Sequence, residues 1–167
     1  QMRQKNSRDS DGTVTEIEDV LQRNYRLNMS CVLNEFISLK TRLEYVTIHR
    51  ASNTPEKGML FSQDLIFKPK SSPFDLSLRF ALFDTDSYDT RIYTFESNAL
   101  YVFAVPAYYY QGSRAYVLLR YSFWRSCDVW IKYGVFLYEN RSSISSGAEQ
   151  ITGNRKSDLL VQLRISL

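Results

Sequence analysis

The stretch AYVLLRYSFW, Ala115 to Trp124, and the similar VWIKYGVFLY, Val129 to Tyr138, decide the fold class. In an extended chain successive side chains point to opposite faces. Val117, Leu119, Tyr121 and Phe123 then share one face, and Tyr116, Leu118, Arg120, Ser122 and Trp124 share the other. Both faces carry bulk, as in strands that lie in a core on one side and under a neighbour on the other. The first face is unbroken by charge and is expected to be core. Tyr116, Arg120 and Trp124 are expected to form a self-association surface, because Arg and aromatic side chains suit a partner surface.

Outward from this stretch the two-residue period recurs. YRLNMSCVL places Tyr25, Leu27, Met29, Cys31 and Leu33 on one face, FDLSLRFALF places Phe74, Leu76, Leu78, Phe80 and Leu82, and DLLVQLRISL places Leu159, Val161, Leu163 and Ile165. NEFISLKTRLEYVTIHR admits a helix in its first half through Phe36, Leu39 and Leu43. Its β-branched end, Val46 to Ile48, favours a strand. ASNTPEKG and KPKSSP read as loops, DTDSYD as a turn, and the Ser- and Gly-rich run from 139 to 157 as a long exposed loop. About eight strands separated by turns imply a mainly β, single-domain antiparallel sandwich or jelly roll.

Two further elements are expected at the start of the chain. TVTEIEDVLQRN spaces Ile17, Val20 and Leu21 as a short N-terminal amphipathic helix, about Thr15 to Arg23, with capping boxes available to Thr13 and Thr15. Residues 1–12 offer no apolar face and are expected to be a mobile arm, preceding one domain over 13–167. Arg3, Lys5 and Arg8 on that arm are candidate contacts for nucleic acid or another acidic partner.

Composition narrows the function classes. The 167 residues are 44% hydrophobic and 14% aromatic, with a net charge of +3, so the chain is expected to fold and basicity alone names no partner. No run approaches the roughly 18 consecutive apolar residues of a membrane-spanning helix, and the start has no apolar signal-peptide core. A soluble, non-secreted protein is expected. His49 is the sole histidine and has no neighbouring nucleophile motif. Cys31 and Cys127 are too far apart in sequence to form a close metal-ligand pair and are expected to be buried free thiols. Asp84, Asp86 and Asp89 lack the Gly and distal Glu of a calcium loop, and no glycine-rich phosphate cradle occurs. The expectation is a protein that is not an enzyme, with no cofactor, no metal and no small-molecule substrate.

LSLRFALFDTD, YVFAVPAYY and VWIKYGVFLYEN resemble the central pattern of the thirty-kilodalton movement-protein superfamily of plant viruses, with Asp84, Pro106 and Asn140 at the corresponding positions. That superfamily looks related to jelly-roll coat proteins. A basic arm, a helix and a β domain look like a small coat protein, and size and charge look like a matrix protein of a negative-strand plant virus. The resemblance implies a self-assembling viral structural protein of coat or matrix type in the virion and host cytoplasm. Its partners would be copies of itself, nucleic acid or nucleoprotein, and a membrane surface. A movement protein and a cellular β-sandwich binding module are the alternatives.

Overall fold

The computed structural model describes residues 2–8, 14–50, 54–124, 126–139, 141–144 and 150–166. Seven long strands follow one another as an antiparallel meander: β2 (Val14–Val32), β3 (Ile37–Arg50), β4 (Glu56–Phe67), β5 (Phe74–Thr85), β8 (Gln111–Trp124), β9 (Cys127–Tyr138) and β12 (Arg155–Ile165). An eighth, β1 (Met2–Arg8), adds to the outer edge of β2. Short strands β6 (Ile92–Tyr93) with β7 (Ala107–Tyr108), and β10 (Ser143–Ile144) with β11 (Ile151–Thr152), belong to the two long connections.

Mainly β and antiparallel architecture is thus as expected. The long strands form one sheet in neighbour order, without the crossovers of a jelly roll or a second long-stranded sheet among the described residues. Short connections join β2 to β3, β3 to β4, β4 to β5 and β8 to β9 and account for most of this order. At the β2–β3 turn, Asn34 Oδ1 accepts the backbone N–H groups of Phe36 and Ile37 at 2.9 and 2.8 Å, an Asx turn that reverses the chain within four residues.

The amphipathic helix is not formed, since Thr15 to Arg23 belong to β2. Val14 to Leu21 pair with β1, and from Val20 onward the strand pairs with β3, so every part of this segment has a ladder partner. Two ladders and the β-branched Val14, Thr15, Ile17 and Val20 outweigh a helical spacing that spans barely two turns. The expected arm is likewise extended over Met2–Arg8 and paired to β2, because an adjacent free edge offers its backbone hydrogen bonds; residues 1 and 9–13 lie outside the described residues.

One face of the sheet is covered by the connection 86–110 and by the pieces 141–144 and 150–154. Val46, Leu60, Ala81, Phe83 and Phe136 on that face form a core with Ile92 and Tyr108 of the first connection and Ile144 of the second. Phe83 meets Tyr108, Phe136 and Tyr138 edge-on, with centroids 5.4 to 6.1 Å apart. Gly58 admits the 3-10 turn Tyr88–Thr90 against the sheet, because a Cβ there would sit 2.5 Å from the Thr90 carbonyl oxygen.

Candidate functional site

The covered face is built from charge as much as from apolar side chains. Arg79 grips Asp64 with two N–H groups at 2.5 and 2.6 Å and donates a third to the Phe95 carbonyl at 2.6 Å. Glu44 accepts from Arg26 at 2.8 and 3.0 Å and from Arg42, which also reaches the Tyr93 carbonyl. At the centre Glu96, 1% exposed, accepts from Arg114 twice at 3.0 Å, from Lys132 Nζ at 2.9 Å and from the Tyr108 hydroxyl at 2.9 Å. Burial would raise the Glu96 pKa. The hydrogen bonds and charge of Arg114 and then of Lys132 outweigh it, and the carboxyl is held below its usual range. Nearer β12, Asp128 accepts from Ser122 at 2.5 Å, from Arg120 at 2.9 Å and from Arg164. Arg79, Glu96 and Arg42 thereby clamp the connection 86–110 onto the sheet.

The opposite face is apolar and open. One cross-strand row runs Cys31, Leu39, Leu65, Leu78, Val117, Tyr133, Leu159, and a second, two rows along the same face, includes Leu27, Leu43, Phe61 and Leu82. Tyr25, Leu27, Met29, Leu43, Phe61, Phe80, Leu82, Phe123, Leu159 and Val161 are all exposed. Among the described residues of the seven long strands, no Asp, Glu, Lys or Arg stands on this face below the row of Tyr25, Tyr45, Met59 and Asp84 until Arg155 at the start of β12. Its two central polar side chains satisfy each other, Thr41 Oγ1 donating to Gln63 Oε1 at 2.7 Å. Aromatic pairs mark the margins: Tyr25 with Tyr45 at one end, Phe67 with Phe74 and Tyr121 with Phe123 at the other.

The apolar band slides along the strands. It begins at Tyr25 on β2 and at Leu159 on β12, and Leu159 shares its row with Cys31, a stagger of six residues over six inter-strand steps. With about 3.3 Å per residue and about 4.8 Å between strands, strands carrying a level band lean about 35°. Both long connections, 86–110 and 139–154, leave the sheet at one end, together with the short connections 9–13 and 51–55, while the other end carries only short turns, those after β2, β4 and β8.

The sequence-derived faces of β8 are therefore reversed. Tyr116 is 4% exposed on the covered face, its hydroxyl accepting the Ser97 N–H at 3.0 Å, and Arg120 lies on the same face. Val117, Tyr121 and Phe123, expected as core, stand on the open face. The expectation fails because a charge-free face marks a core only when the other side meets water. Trp124 closes β8 opposite Cys127, and Arg3, Lys5 and Arg8 pair with Val20, Glu18 and Val14 in the ladder; the side chains of these four lie outside the description. Cys31 and Cys127 are free thiols, exposed and half-buried respectively, so the expected burial is not found. Sequence reasoning passed over Arg79, Glu96, Lys132 and Arg164. A signal for most of them was present: single cations sit inside otherwise apolar strands, as in LSLRFALF, VWIKYGVF and LLVQLRISL.

No family model, curated protein or solved structure matches the chain. Of the positions carrying the viral resemblance, Asp84 lies at the margin of the open face, Pro106 precedes β7, and Asn140 lies outside the described residues.

Proposed function

We propose that this sheet is part of the wall of a transmembrane β-barrel, with its open apolar face in lipid, its charged face towards the lumen, and the connection 86–110 as an internal plug. The observation that carries the reading is the inverted amphipathicity: the apolar side of the sheet is exposed, and the ion-paired side is covered. In water this arrangement leaves a large apolar surface uncovered. In a bilayer it is the required one, with outward apolar residues, aromatic margins, leaning strands and short turns at one end. No helix among the described residues is long and apolar enough to cross a membrane, which leaves crossing by strands unaffected.

The lumen content supports a ring larger than this sheet. Eight strands closed on themselves leave room for little beyond side chains, whereas here the inner face also carries two polypeptide connections. Edge strands β1 and β12 are not paired to each other. An unpaired edge is untenable in lipid, so the reading includes further antiparallel strands on both edges.

A second reading has one observation in its favour. The same open face could bury against the open face of another copy, completing a sandwich and making a self-assembling structural protein of coat or matrix type. Flotation with lipid vesicles separates the two. The barrel reading expects carbonate-resistant retention in the bilayer, and it expects Phe80→Arg, at the middle of the band, to cost about 2–4 kcal/mol of folding in lipid. A detergent-free, soluble assembly of the wild-type chain would overturn it and favour the second.

A further inference from the structure

A cavity of about 500 Å³ opens on the charged face near the short-turn end, between the sheet and the plug around Phe95 to Leu100. Four cationic side chains, Lys40, Lys68, Arg120 and Arg164, line it against one carboxylate, Asp75. Behind them Asp128 is shared by Arg120 and Arg164, so the surroundings keep two positive charges in excess. Lys40 and Lys68 make no ion pair among the described residues. The Nε atoms of Arg120 and Arg164 are buried with no acceptor, which is costly unless an acceptor arrives. Trp130 lies between these two guanidinium groups, their central carbons 5.6 and 5.7 Å from its ring centroid. Phe95 and Leu118 add apolar lining.

We infer that this cavity binds an oxyanion, carboxylate or phosphate, borne on a small apolar body. The cations supply the head group's partners, since charged donors satisfy oxyanions far better than neutral ones do. The apolar side chains and Trp130 accept the body, as mixed pockets of this size usually do. The site lies on the charged face and does not depend on what covers the apolar one.

Trp130 reports on occupancy once Trp124, the only other tryptophan, is replaced by Phe. The folded Trp124→Phe chain in detergent micelles is titrated with phenyl phosphate, benzoate, inorganic phosphate and phenol while Trp130 emission is followed. The expected result is a saturable change with phenyl phosphate or benzoate, at least tenfold weaker binding of inorganic phosphate and of phenol, and weakening with salt. Whichever of phenyl phosphate and benzoate binds tighter names the head group. Lys40→Gln with Lys68→Gln should weaken binding at least tenfold without unfolding, because neither side chain holds a structural ion pair. Lys70→Gln, which removes an exposed charge paired with Glu35 outside the cavity, should not. Absence of any saturable change, equal binding of phenol, or an unaltered affinity in the Lys40, Lys68 double variant would overturn the inference. The assay is independent of membrane insertion, so its failure is distinguishable from failure of the barrel reading.

Discussion

At the scale of single residues, Glu96 is the point on which the docking of the connection 86–110 depends. It brings one negative charge to two buried cations, Arg114 and Lys132, each 3% exposed in its side chain. Removing one member of a buried pair leaves the other charge uncompensated, so Glu96→Gln should destabilise the fold by about 3–5 kcal/mol, measured by denaturant titration. The pH dependence has a definite sign. Because the folded carboxyl titrates below the usual 4.5, its contribution is complete above that value and is lost as pH falls through the lower folded value. Protease sensitivity of the 86–110 connection should therefore rise only below about pH 4.5, and a rise centred near neutrality would contradict the assignment. Gly134 belongs to the same device. A Cβ there would lie 2.5 to 2.7 Å from the Arg114 guanidinium, so only Gly lets that side chain lie across β9 towards Glu96 and Asp158.

At the scale of elements, the strands were largely legible. Two-residue alternation located β5, β8, β9 and β12 with their partition into faces, since strand geometry forces i and i+2 to one side whatever the surroundings. The start of β2 was not legible: Ile17, Val20 and Leu21 satisfy a helical and an extended spacing over so short a span, and the ladders that decide between them come from β1 and β3. The stagger of the apolar band makes its own prediction. Ser157 of β12 shares its row with Met29 and Thr41, yet it lies above the band as that band reaches β12. In vesicles, on a background with Cys31 and Cys127 replaced, a thiol at Ser157→Cys should react with a charged maleimide and one at Leu163→Cys should not. Equal labelling would refute a tilted lipid-facing band.

For the whole molecule, the placing of both long connections at one end of the sheet predicts an orientation. The barrel reading then puts the end that carries only short turns on the inner side and the long connections outside. Trypsin added to intact cells carrying the inserted protein should cut near Arg141 in the long connection. It should spare Lys70 in the short turn 68–73, although that side chain is 80% exposed. Cutting at both ends would mean that no bilayer separates them.

The amino-acid sequence by itself determined that the chain is β, that its strands alternate, and which residues travel together on a face. Only the tertiary structure decided which face is inside. Alternation is symmetrical under exchange of the two sides: it states that Val117, Leu119 and Tyr121 act together and Tyr116, Leu118 and Arg120 act together, but it carries no sign. The sign comes from the connection 86–110, which folds back onto the side where Arg79, Arg114 and Lys132 can meet the Phe95 carbonyl and the Glu96 carboxylate. Those hydrogen bonds join residues far apart in the chain. They satisfy buried charge on one face and so leave the apolar face as the one turned outward.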